Sequence, residues 1–327
     1  MEGEIFRQLR KDRRMSMGDV SDEVNSLSFI SKFENGLSNI SFHRLEHLLE
    51  RINVTLEEFL YLRAKSDNVG IYDYLSDRPF FMTGKFTFYL NQIFKYNDEV
   101  NQSRNFAEGI NQLNELKKMI QGETQSEEFL KILCQLLSLS YQLNDERDQG
   151  IEVNVDALFA KLQTLSAPVV NHLYSVDNWG VFEVLLFRFF QFSFPVSTVH
   201  QLLRTAVSRT QKEAGVQLMQ RMKFELLFGT CATFINFRKL PWAREVLEET
   251  ESLLHDQGDL LNSTKLLFYQ GWLRIVSGSI TAGKRSCEQA ISIFRILKQP
   301  ALQIMYENML QAILTNRENL NDGFIFS

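Results

Sequence analysis

The stretch SFISKFENG, Ser28–Gly36, places Ile30 and Phe33 three residues apart, the spacing of neighbours on one helix face. The reading predicts a helix over Ser26–Phe33 with those two as core anchors. It ends at Glu-Asn-Gly, where Gly36 can take the left-handed conformation that closes a helix. Upstream, Glu2–Lys11 carries Ile5, Phe6 and Leu9 on one face. Ser16 precedes Asp19 by three positions, a capping-box spacing, and opens a second helix expected to run to Val24 with Met17, Val20 and Val24 inward. Downstream, Ser41 is expected to cap a fourth helix with Leu45, Leu48, Leu49 and Ile52 inward. Thr55 caps a fifth through Phe59 and Leu62. Five short helices in about 63 residues, two of them joined by a tight turn, make a helix-turn-helix unit.

That unit raises an electrostatic question, because the whole chain of 327 residues has a net charge of -5. Residues 1–65 hold 10 Lys+Arg against 11 Asp+Glu, so the unit is not basic on average. The charge is uneven, however. Arg7, Arg10, Lys11, Arg13 and Arg14 gather in eight residues with only Asp12 against them. Contact with a phosphate backbone depends on the local field, which salt confines to ~10 Å. His43 and His47 stand four apart, a spacing that can bind a metal, but no further ligand is evident and they read as surface helix residues.

The remaining chain reads as helix after helix. Only five prolines occur, and charged residues are 23% against 44% hydrophobic, so an all-α fold with a sizeable core is expected. Phe106, Ile110, Leu113 and Ile120 form one stripe. Ala243, Val246, Leu247, Thr250 and Leu253 form another, matched by Cys287, Ala290, Ile291, Phe294 and Leu297, with Gly271 set between aromatics in the helix between them. Helix pairs recurring at a period near 40 predict stacked tetratricopeptide-like hairpins around a concave groove, the kind that binds extended peptides. Pro168, Pro195, Pro241 and Pro300 are each expected to begin or separate a helix. The expected domains are 1–65, 66–317 and a tail, 318–327, poorly ordered apart from its aromatic end. Cys134, Cys231 and Cys287 have no zinc or redox spacing and read as buried thiols in a cytosolic protein. The N-terminus lacks the apolar stretch of a signal peptide, and no apolar run reaches membrane-spanning length. Walker, G-x-S-x-G and H-E-x-x-H motifs are missing, so neither an enzyme nor a cofactor is expected.

The Ile-Ser-Lys-Phe-Glu-Asn-Gly register, followed by NVTLEEFL, resembles the repressor-like helix-turn-helix of phage repressors and bacterial regulators. That resemblance implies that Ser26, Leu27, Ser28, Phe29, Ser31 and Lys32 face the major groove and that Asn35 and Asn39 touch the backbone; from the charge cluster, Arg10, Arg13 and Arg14 are expected to meet phosphates beside them. With HLYSVDNWGVFEVLLF (His172–Phe187) and LFYQGWLRIVSGSITAGKRSCEQAISIFRIL added, the whole chain resembles the Rgg (MutR/GadR) family of Gram-positive peptide-sensing regulators. The family implies a cytoplasmic homodimer that binds double-stranded promoter DNA. It also implies control by a short hydrophobic signalling peptide, as in pheromone quorum sensing. Phe42 stands where some relatives carry a bridging Cys, so no such disulfide is expected. The groove positions implied are Arg188, Phe189, Gln191, Phe192 and Asn236, with Trp179 and Glu183 as neighbours. Where known peptide responders carry a Gly-Asn pair and then an Arg, this chain has Arg188-Phe189 and then Phe192, which implies a more apolar groove. Two alternatives stay open: a helical-repeat scaffold for protein partners, and a stand-alone regulator without a peptide.

Overall fold

The computed structural model describes residues 2–66, 85–151, 154–209, 217–255 and 258–315. Among them every regular element is helical. The expected tail, 318–327, lies outside the described residues. The chain divides into two compact units, 1–105 with 115–130, and 106–114 with 131–327.

The first unit opens with five helices: α1 (Glu2–Asp12), α2 (Met17–Val20), α3 (Leu27–Glu34), α4 (Phe42–Arg51) and α5 (Leu56–Ser66). Their shared core contains Phe6, Leu9, Val20, Ile30, Phe33, Leu45, Leu48, Leu49, Ile52 and Phe59, the faces expected from spacing. The capping box at Ser16 and Asp19 is formed in both directions. Thr55 and Glu58 make the same reciprocal pair at α5. Ser41 stands at the N-cap of α4 without a side-chain cap bond. One boundary differs. α2 stops at Val20 rather than Val24, because Asp22 Oδ1 accepts the N–H groups of Val24 and Asn25 at 2.9 Å each. An Asp side chain that satisfies local N–H groups competes with helix continuation, and apolar spacing does not register that competition. After α3, Gly36 takes φ +71° and Leu37 N–H donates to Lys32 O at 2.8 Å. α6 (Lys85–Ser103) completes the unit's own helices, while α7 (Phe106–Met119) and α8 (Gln125–Asp148) are each divided between the two units.

The second unit continues with α9 (Val155–Ser175), α10 (Val181–Phe190), α11 (Val196–Arg209), α12 (Gln217–Asn236), α13 (Leu240–Leu254), α14 (Leu260–Val276), α15 (Ile280–Ile296) and α16 (Pro300–Thr315). α13 and α15 begin forty residues apart, as do α14 and α16, which is the expected period. Three hairpin turns are closed alike. A residue with positive φ (Arg238, Gly278, Lys298) is followed by an N–H that donates back to the helix before it. The pairs are Lys239 to Phe234 O at 2.8 Å, Ser279 to Arg274 O at 2.9 Å and Gln299 to Phe294 O at 2.9 Å. These are Schellman closures. Aromatic rings join α12 to α14, α14 to α16 and α15 to α16: Phe228 to Tyr269 at 4.9 Å, Phe268 to Tyr306 at 4.7 Å and Phe294 to Tyr306 at 5.2 Å. Several of the phenylalanines thus serve as inter-helix contacts.

Three expectations are corrected in this unit. Pro168 lies inside α9. It is exposed, so the Thr164 carbonyl it leaves without a helical partner can bond to water. Leu254, not Leu253, completes the buried face of α13. Leu297 is 45% exposed because α15 has ended and the chain turns there. Gly271 is buried where α14 crosses α15. A Cβ on it would stand 2.7 Å from Gly283 O and 2.6 Å from Cys287 Sγ. All three cysteines are buried and outside any disulfide, and burial pushes the Cys287 thiol up to about 12.

Candidate functional site

α3 is built as a two-sided rod. Ile30, Phe33 and Glu34 are buried, while Ser26, Leu27, Ser28, Lys32 and Asn35 are exposed or partly so and Phe29 and Ser31 are half-buried. Ser26 Oγ caps the helix by accepting Phe29 N–H at 3.3 Å. Asn35 Nδ2 donates to Ser31 O at 2.8 Å and trims the C-terminal end. Asn39 is exposed beyond it. The first turn therefore presents two hydroxyls, and Lys32 follows one turn on.

Arg13 and Arg14 are exposed, and Arg13 Nη1 donates to Leu9 O at 3.1 Å. Arg10 is a correction. It is 6% exposed and pairs through both ends of its fork with Glu34, at 2.7 Å for each bond. Its Nη1 donates to Met15 O at 2.6 Å. The guanidinium is spent inside the domain and is withdrawn from the phosphate-facing set. Other acidic residues of this unit are engaged as well. Glu34 also takes Arg7 at 3.5 Å, and Glu2 takes Arg63 at 3.0 Å. Asp19 and Glu58 serve caps. The near-neutral total thus hides a division: these acids are occupied at helix ends and in pairs, while Lys32 stays clear of them.

The segment leading into α3 is tied down by Asp22. Besides its two turn bonds, its Oδ2 lies 2.5 Å from His47 Nε2 and 3.4 Å from Arg51 Nη1, both on α4. Backbone bonding around Asn25, then the His47 contact, lowers the Asp22 carboxyl from its ordinary range to about 2. The folded state thus favours the carboxylate. Its stabilisation is complete above about pH 4 and is lost as pH falls towards 2. Unfolding midpoints of wild type and Asp22→Asn should differ at pH 7 and converge across that window. A constant gap would break the assignment. The His43/His47 pair forms no metal cluster with Cys, Asp or Glu among the described residues; His47 serves Asp22 instead.

The residues expected in a repeat groove are not brought together uniformly. Trp179 is fully buried, with Nε1–H donating to Leu173 O at 3.1 Å. Glu183 Oε2 accepts Gly180 N–H at 2.9 Å and caps α10. The Trp-Gly-x-x-Glu signature is therefore a helix start. Gln191 is a correction too: it is 8% exposed, and its Oε1 accepts the Thr230 hydroxyl at 3.2 Å, so it belongs to the interior. Phe189, Phe192 and Asn236 are half-buried. Arg188 lies 3.6 Å from Glu225, whose other oxygen takes Lys265 Nζ at 2.6 Å. This places two cations on one carboxylate across α10, α12 and α14. Glu225 and Lys265 were missed from sequence, yet they are forty residues apart and so share one register in successive repeats.

Among the described residues no helix is long and apolar enough to cross a membrane. Residues 111–308 match the family described as HTH-type transcriptional regulator Rgg, C-terminal domain, and residues 6–59 match the helix-turn-helix family. Among solved structures, the SHP pheromone receptor Rgg2 of Streptococcus dysgalactiae is similar at 21% identity and TM-score 0.64, covering 95% of this chain and 99% of that one. A Listeria monocytogenes EGD-e protein assigned as a transcriptional regulator reaches TM-score 0.72 at 17% identity, over 97% and 98%. PrgX in its complex with cCF10 gives 0.63 at 12%, over 96% and 92%. These likenesses are of fold.

Proposed function

Because this chain belongs to the Rgg family of helix-turn-helix transcriptional regulators, we propose that it works as a cytoplasmic homodimer that reads a promoter operator through α3. In this reading residues 1–65 bind the DNA. Residues 66–317 dimerise and hold a short peptide in a concave groove. Two copies would read half-sites about one helical turn apart. A peptide would act only through its differential affinity for the states of the pair. The observation that carries the reading is the sidedness of α3, with Ser26, Leu27, Ser28 and Lys32 outward over an anchored Ile30 and Phe33. Hydroxyls and an ammonium at that spacing suit base edges and phosphates. Asn35, Asn39, Arg13 and Arg14 supply further polar and cationic groups.

Support for the peptide comes from the Rgg2 and PrgX likenesses, since the former is a pheromone receptor and the latter was solved with cCF10. It also comes from the Arg188–Glu225–Lys265 group. Its paired cations suit a peptide carboxylate or backbone carbonyls, with Phe189, Phe192 and Asn236 as neighbours of Arg188 in the reading. The test is a titration of duplexes from the DNA flanking its own gene. Lys32→Ala combined with Ser28→Ala is expected to weaken binding to the specific duplex at least ~10-fold. Unchanged affinity would remove α3 from the role.

A further inference from the structure

Arg44 was no part of the expected reading face, yet its guanidinium carbon stands 4.5 Å from the centroid of the Phe29 ring. Phe29 sits in the first turn of α3 and is itself stacked on Phe33, at 6.4 Å and 4°. The ring thus packs against the core and also carries a cation. Asn25, fully buried and directly before the α3 cap, donates from Nδ2 to Arg44 O at 3.3 Å. That bond fixes the first turn of α4 against the start of α3. Arg44 is exposed. Among the described residues no carboxylate lies in ion-pair reach of it, and its own helix offers none three or four positions away. Lys32 follows Phe29 by three residues and lies on the same helix face.

We propose that Arg44 is a DNA-contacting residue, stacked on Phe29 so that its fork meets a two-acceptor edge beside Lys32. The inference rests on the DNA-binding reading of α3. A guanidinium stacked through its flat face keeps its N–H edge free. That edge matches guanine O6 and N7, or two oxygens of one phosphate. Stacking also limits the rotamers the long side chain would otherwise lose on binding. Phe29, which looks out of place on a polar reading face, becomes the platform that positions the arginine.

The experiment uses the full chain and a pool of random duplexes. Wild type, Arg44→Gln, Phe29→Leu and Lys32→Ala are each selected against the pool, and the best wild-type duplex is titrated from about 50 to 300 mM KCl, the span over which phosphate contacts show their salt dependence. Arg44→Gln is expected to bind at least ~10-fold more weakly at an unchanged thermal midpoint. A guanine contact shows as the loss of one guanine position from the selected motif. A phosphate contact leaves the motif intact and lowers the slope of log K against log salt by about 1. Phe29→Leu should reproduce whichever signature Arg44→Gln shows, and the double variant should add nothing further. Arg44→Gln within about twofold of wild type, with motif and slope unchanged while Lys32→Ala is impaired, overturns the proposal and spares the reading beneath it. If wild type enriches no motif and Lys32→Ala has no effect, the DNA-binding reading falls, and this inference with it.

Discussion

Glu34→Ala is expected to unfold the α1–α5 bundle at room temperature, or leave it barely folded. Glu34 and Arg10 have side chains 1% and 7% exposed and share two bonds of 2.7 Å. Removing the carboxylate leaves a guanidinium buried with one carbonyl acceptor. Breaking a buried pair from one side costs about 3–5 kcal/mol. A domain of this size holds on the order of 3–10 kcal/mol in total, so the loss consumes much or all of it. Denaturant titration of the α1–α5 signal should show the fall, and DNA binding should go with it. Replacing both partners, Arg10→Met with Glu34→Leu, should recover most of the stability, because the desolvation cost disappears with the charges. A single-variant loss below about 1 kcal/mol would mean that the pair is solvated, against its burial.

The second large effect is expected from Gly271→Ala. In a helix interior this change normally gains about 1 kcal/mol. Here the new methyl would stand 2.6 Å from Cys287 Sγ, 2.7 Å from Gly283 O and 2.9 Å from Cys287 N. Two of those atoms are backbone, so no rotamer relieves them and α14 must move off α15. Overpacking of this kind costs about 1–3 kcal/mol, and more where backbone must shift. The net expectation is a loss of about 2–3 kcal/mol, a fall in Tm of roughly 5–10 °C. Gly18→Ala, with nothing closer than Ser16 Oγ at 3.5 Å, serves as the control and should be near neutral. A stabilised Gly271→Ala would show that the helices do not approach as closely as described.

The faces of α1, α3 and α4 were legible because Phe6, Ile30 and Leu48 recur at helical spacing, and spacing reports which side meets a core. The forty-residue period was legible for the same reason. What spacing does not report is which partner a polar group finds. Asp22 reads like any surface acid until its oxygens are seen to end α2. Arg10 reads like its exposed neighbour Arg13, although Glu34, 24 positions on, draws it inside. Gln191 falls beside Arg188 in the chain but is turned inward to Thr230. Arg44 shows no local sign at all, since its meaning depends on a ring fifteen residues earlier on another helix. Glu225 and Lys265 are the opposite case: comparison of successive repeats position by position would have paired them.

The hairpin turns carry one more consequence. Each is clasped by bonds among the six residues around it, from Phe234 to Lys239, from Arg274 to Ser279 and from Phe294 to Gln299. None of these clasps borrows a group from another hairpin. The corners therefore have little give, and compliance is left to the greasy faces where one leaf slides on the next. A load applied at one leaf is expected to pass down the row as a succession of small tilts, like a venetian blind worked from a single slat.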